Sequence, residues 1–284
     1  MRSSLKFTNK LNMLSEMESE SKFQILEYEN LEGATDAETV FGLNAIRQSG
    51  IKLKQIRIIL DDSAVKLEPI FLSYMKGNIE IIKKNIETKN KSGGLLGFGK
   101  KIIASKLIGE TEFKPTYSGR GEIFLEPSFG HFALIELEDD EIIVGDNMFH
   151  GCEDGIEVNL ATQENISSEF LGNKGLYQIR IEGSGIVALK VPVPEAEIFK
   201  CILINDTLKV DGDFAILRTG NIEFSVEKSS KSIIGTRAGE EGLVNIYRGT
   251  GEVWLAPTKN IYKDLKMGPS IYIDKSQAEE DEDM

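Results

Sequence analysis

Apolar and polar residues alternate over short stretches through most of this chain. "IKLKQIRIIL" (51–60), "GEIFLEP" (121–127), "HFALIEL" (131–137), "LYQIRI" (176–181), "GIVALKV" (185–191) and "GEVWLAP" (251–257) are rich in Ile, Val, Leu and Phe. Gly, Asp, Asn or Pro separates them. Short apolar runs with turn residues between them predict β-strands. From residue 50 onward no long stretch keeps the 3.6-residue period of an amphipathic helix. The expectation is an all-β domain of many short strands over 42–265, with a polar, acidic N-terminal extension over 1–41. That extension reads as a short helix or an irregular arm. The segment 266–284 ends in "QAEEDEDM", a charge run that predicts a disordered tail.

The strand runs repeat. Gly119-Arg-Gly121-Glu-Ile-Phe-Leu125-Glu-Pro127 returns as Gly183-Ser-Gly185-Ile-Val-Ala-Leu189, with Pro192 slightly late, and again as Gly249-Thr-Gly251-Glu-Val-Trp-Leu255-Ala-Pro257. The second glycines stand at 121, 185 and 251, so the unit recurs about every 65 residues. A second signature keeps the same order: "MKGNIEI" (75–81) matches "RTGNIEF" (218–224), with a weaker copy in "DGIEV" (154–158). Three tandem β units follow, approximately 51–127, 128–193 and 194–257.

The repeats decide what the glycines do. A dinucleotide fingerprint needs a helix after its glycine-rich turn, because the helix N-terminus holds the pyrophosphate. Here a strand follows each Gly-x-Gly, which predicts tight turns or bulges instead. "GLLGFGKK" (94–101) matches a P-loop as far as Lys100, but Lys101 stands where the magnesium-binding Ser or Thr belongs. No ATP, other cofactor or metal is expected.

Composition narrows the chemistry. Lys and Arg number 33 against 46 Asp and Glu, a formal charge of -13. A balance this acidic opposes broad nucleic-acid binding, and Lys100, Lys101 and Lys106 read as a solvated loop. Cys152 and Cys201 are far apart, without metal or disulfide spacing, and predict reduced thiols in a cytoplasmic protein. The N-terminus has no continuous apolar core for a secretory signal, and Glu16, Glu18 and Glu20 oppose an organellar presequence over Leu5 to Met17. No run of apolar residues is long enough to cross a bilayer.

Catalytic constellations are sparse. His131 and His150 are the two histidines, too few for a three-histidine cupin site. A mixed site with carboxylates is the enzymatic reading, and packing or surface roles are the expectation. Cys152 shares strand parity with His150, so a Cys-His pair is conceivable, but a small buried thiol is the reading preferred. Glu136, Glu138, Asp139, Asp140 and Glu141 read as a solvated turn. Phe124 and Trp254 hold equivalent repeat positions, with Ala188 between them in sequence, and read as packing residues. No Gly-x-Ser-x-Gly elbow is present.

These motifs together carry a resemblance. "LKQIRIILDDSAVKLEP", "YMKGNIEI", "GGLLGFGKK" with "GET", and "EEGLVNIYRGTGEVWLAP" resemble the altered-inheritance-of-mitochondria (mitochondrial biogenesis) family, in its bacterial form, over roughly 42–262. The resemblance implies a fold like the tryptophan RNA-binding attenuator protein. In such a fold, β-sandwich or short double-stranded β-helix units surround a pseudo-threefold axis. It implies structural roles for Gly77, Gly119, Gly121, Gly183, Gly185, Gly220, Gly249 and Gly251, and brings no catalytic residues. A eukaryotic relative is associated with organisation of the mitochondrial inner membrane. The resulting expectation is a non-enzymatic scaffold or interaction protein that forms homo-oligomers. The second expectation is a lipid- or small-ligand-binding protein with peripheral membrane contact. Nucleic-acid binding is not expected.

Overall fold

Each alternating run finds its partner in an antiparallel ladder. The computed structural model describes Ser4 and residues 10–82, 114–145, 147–161, 178–228 and 243–267. Within these residues thirteen strands join one sheet, all of whose pairings are antiparallel. The P-loop-like stretch with Lys100 and Lys101, the cation Lys106 and the acidic segment 268–284 lie outside them.

Where an irregular arm or short helix was expected, residues 11–28 form a hairpin, β1 (Leu11–Glu18) and β2 (Ser21–Tyr28). The reason lies in "SKFQILEY": Phe23, Ile25 and Leu26 are buried, while Lys22 turns out to pair with Glu18 at 2.8 Å. Acidic residues on β1 hide the strand pattern from a reading by composition. Helix α1 (Ala37–Gln48) follows, capped by Asp36, whose carboxylate accepts from the Thr39 backbone N–H at 2.8 Å. None of its residues is buried.

The remaining strands fall into three groups. The first is β3 (Lys54–Leu67), β4 (Leu72–Ile82) and β5 (Thr116–Leu125). The second is β6 (His131–Gly145), β7 (Phe149–Glu153), β8 (Ile156–Leu160) and β9 (Gln178–Val191). The third is β10 (Phe199–Asp211), β11 (Ala215–Thr219), β12 (Ile222–Lys228) and β13 (Leu243–Leu255), with helix α2 (Lys259–Met267) after it. In each group the last strand is central, paired along one edge with the long first strand and along the other with the shorter ones.

Two short ladders tie the groups together. Residues 65–67 of β3 pair with 151–153 of β7, and 142–144 of β6 pair with 217–219 of β11. The hairpin caps the first half of β3 through the β2 pairing. Core clusters follow the same division. Phe23, Ile56, Ile58 and Ile123 pack with Ile186 and Ala188 of β9, so the hairpin and first group close against the second. Phe149, Ile181 and Val187 pack with Ile216 and Leu217 of the third group.

The role of the Gly-x-Gly pairs resolves in these ladders. Each long strand carries one extra residue opposite the Gly-x-Gly of its partner, at Asp62, Asp139 and Asn205, whose φ values are 54°, 58° and 49°. Asp139 and Asn205 donate their backbone N–H groups to Ser184 Oγ and Thr250 Oγ1, both at 2.9 Å, while Arg120 pairs with Asp61 and Asp62. Gly119 adopts φ 137°, and a Cβ there would lie 2.1 Å from the Asn78 carbonyl oxygen on β4. Gly249 repeats this on β13, at φ 131° and 2.8 Å from the Asn221 carbonyl. Close approach of backbones across the ladder is what excludes a side chain.

β1, β4, β8, β10 and β12 each pair with a single described strand, so each has an outer edge without a described partner. β10 pairs with β13 along one side, and no described strand pairs with its other side. Phe199, Ile202 and Ile204 on this strand are 61%, 67% and 78% exposed.

Candidate functional site

The β6–β11 ladder that joins the second and third groups also builds a cleft. It is lined from β6 by Ile143 and Gly145, from the following turn by Asn147 and Met148, and from the end of β9 by Lys190 and Val191. β11 supplies Ala215, Ile216, Leu217 and Arg218; β13 adds Tyr247, and α2 adds Lys259, Tyr262 and Lys263. Its volume is about 710 Å³, within the range of small-molecule sites. The walls are chiefly apolar, and four of the lining residues are cationic (Lys190, Arg218, Lys259 and Lys263) against the single carboxylate of Asp213.

Arg218 is the unusual member. β11 is held between β13 and β6, so Arg218 lies opposite both Val253 and Ile143 and is only 9% exposed. One Nη donates to the Ile222 carbonyl at 2.9 Å, and the guanidinium sits 5.6 Å from the Phe224 ring centroid. Its Nε–H has no acceptor within the described residues. Burial pulls its pKa below the ordinary arginine value, while Tyr247 and Glu141 act in the opposite direction. Burial also pushes the neighbouring Tyr247 phenol up to about 12, so it stays protonated.

The α2 side of the cleft is fastened differently. Lys259 donates to the Asp213 backbone carbonyl and pairs with its carboxylate at 3.1 Å; Lys263 reaches the same carboxylate at 3.4 Å. Burial alone would raise the Asp213 pKa, but the two ammonium groups outweigh it and hold the carboxyl below its usual range. These cations are therefore largely spent on fixing α2. Arg218 and Lys190 are the lining cations outside this cluster.

The residues singled out in the sequence lie elsewhere. His150 on β7 is 3% exposed, stacked on Phe71 with centroids 3.9 Å apart and edge-on to Phe132. Burial first, then Lys190, pushes its pKa down to about 4, so the imidazole is neutral. His131 has a different environment, beside Lys54 and Glu197, and burial lowers its pKa too. Cys152 lies fully buried in the apolar core, its thiol pushed up to about 12. Such a thiol is not a nucleophile at neutral pH.

Glu136, Glu138, Asp139 and Asp140 are exposed around the β6 bulge. Among the described residues no three or more His, Cys, Asp and Glu side chains come together as a metal site. Phe124 and Trp254 are half-buried on their strands, each beneath a cross-strand cation: Arg57 at 5.7 Å and Lys200 at 5.4 Å. Ala188, at the same place in the second group, is fully buried. The residue that sequence reasoning missed is Arg218, whose signal was a lone cation closing the apolar run "FAILR".

No described helix is long and apolar enough to cross a membrane. The model of the family described as mitochondrial biogenesis AIM24 matches residues 46–258. Among curated proteins none matches the chain. A crystal structure of a protein from Streptococcus pyogenes superposes with a TM-score of 0.52 at 20% identity, covering 76% of this chain and 94% of that one. A likeness at that identity bears on the fold alone.

Proposed function

This chain belongs to the mitochondrial biogenesis AIM24 family, and from that premise we propose that it is a non-enzymatic β scaffold that self-associates through β10. The single observation behind this reading is the open edge of that strand. The first half of β3 is covered by β2, and the second halves of β3 and β6 are covered by β7 and β11. β10 has neither cover and exposes Phe199, Ile202 and Ile204. Unpaired N–H and C=O groups beside apolar side chains favour strand addition. A second copy of β10 fits, because antiparallel pairing about Leu203 sets Ile202 of each copy against Ile204 of the other.

The same reading takes the three strand groups as units about a pseudo-threefold axis. Its support is the recurrence of one bulge, with a left-handed residue opposite Gly-x-Gly, at Asp62, Asp139 and Asn205. A cytoplasmic location belongs to it as well, resting on two free thiols. Light scattering across a concentration series tests self-association. The expected result is a mass that rises to a dimer for the native chain and falls to monomer for Ile204→Lys. A monomer mass for the native chain at every concentration would overturn the reading.

The cleft supports a second reading, a small-ligand-binding protein. The observation that favours it is the buried Arg218, whose Nε–H lacks an acceptor beside an apolar cavity.

A further inference from the structure

We propose that the cleft between β6, β11 and α2 binds an amphipathic monocarboxylate, with its carboxylate on Arg218 and Lys190 and its apolar body along Ile143, Met148 and Ile216. The proposal rests on the small-ligand reading of the cleft and is independent of self-association.

Three observations converge on this ligand class. The first is the orphan donor. A buried N–H without an acceptor is uncommon and costly, and Arg218 holds one on a side chain that is 9% exposed and lines the cavity. A guanidinium is planar and pairs well with a carboxylate through two parallel N–H donors.

The second is charge. The chain as a whole is strongly acidic, at -13, yet the cavity lining inverts that sign. Lys259 and Lys263 are paired with Asp213, which leaves one fixed guanidinium and one ammonium. That excess suits a monoanion better than a phosphate dianion. The Asp213 carboxylate, on the α2 side, further disfavours a second negative charge.

The third is shape. About 710 Å³ of space with mainly apolar walls accommodates an acyl chain or a ring system of medium size. The walls would contribute through burial of the ligand's apolar area, and the cations would fix its orientation.

Calorimetric titration of the full chain with decanoate, decanol and inorganic phosphate tests the assignment. Decanoate should bind, decanol should bind roughly tenfold more weakly, and phosphate should give no heat of binding. Arg218→Met should weaken decanoate by about tenfold or more, as expected for a lost charge-assisted hydrogen bond. Lys190→Gln, at a half-buried position, should weaken it by about threefold, and circular dichroism of both variants reports whether the fold is kept. If Arg218→Met does not fold, the Lys190→Gln result and the decanoate-to-decanol ratio still decide. Equal binding of decanol and decanoate would overturn the carboxylate assignment while leaving a small-ligand cleft. Phosphate binding tighter than decanoate would overturn it too. Binding of none of the three would overturn both readings.

Discussion

The backbone N–H of Ser21 donates to Oε1 of Glu153 at 2.6 Å, across 132 positions of sequence. The other carboxylate oxygen of Glu153 accepts from the Ile186 backbone N–H at 2.9 Å. One side chain, itself 1% exposed, thus joins the N-terminal hairpin to the centre of the second strand group. The carboxylate is an acceptor only, and it faces two buried donors that no strand ladder satisfies.

Glu153→Ala should therefore strand two buried N–H groups. At about 1–3 kcal/mol for each unsatisfied donor, the loss of stability should be roughly 2–6 kcal/mol. Glu153→Gln should also destabilise, because its amide N–H₂ would oppose a donor with a donor. Urea unfolding midpoints check this. A midpoint unchanged in both variants would mean that the two contacts carry no stability.

Gly119→Ala combines a left-handed φ of 137° with a Cβ placed 2.1 Å from the Asn78 carbonyl. The ladder between β4 and β5 would have to open, at a cost on the order of 3 kcal/mol or more. Gly33→Ala is the control, since nothing lies within 4 Å of its Cβ position. Thermal melts should separate the two variants clearly, and equal melting temperatures would refute the packing argument.

Acid should act through His150. Its folded pKa is about 4 against an ordinary value of 6.5, because burial disfavours the imidazolium. The unfolded chain therefore binds the proton more readily. Stability contributed by this neutral imidazole is complete above about pH 6.5 and is lost as pH falls towards 4, to a total of about 3 kcal/mol. His150→Phe keeps a ring against Phe71 and removes the titration. Unfolding free energies at pH 7 and pH 4 should differ less in that variant than in the native chain. An identical pH dependence would show that His150 is not the group responsible.

Strand runs and glycine positions were legible in the sequence because both are local: period-two alternation marks a pleated face, and Gly-x-Gly marks close backbone approach. The hairpin was not legible, since Glu16 and Glu18 lie on the exposed strand β1 and mask Phe23 and Ile25, which become core only when β2 meets β3. The Arg218 cleft was beyond reach for a related reason. It exists only after β11 pairs with β6, some 75 residues earlier in the chain. His150 was visible as a residue type, but its burial depends on Phe71, in the turn before β4, and Phe132, on β6.

The bulges have one more consequence, for which face of a strand meets the core. Along β3 the buried aliphatics stand at even positions before Asp62 (Ile56, Ile58, Leu60) and at odd positions after it (Val65, Leu67). β10 behaves alike, from Leu203 to Val210, and β6 from Leu137 to Ile142 and Val144. The extra residue thus stands outside the pleat count: the parity of the numbering changes, but the buried residues on both sides of it face one core cluster, opposite Ile123 and Tyr117 of β5. Deleting Asp62 would remove the looped-out residue and leave Val65 and Leu67 on the face they share with Leu60, whereas a residue deleted elsewhere in β3 would turn one half of the strand over.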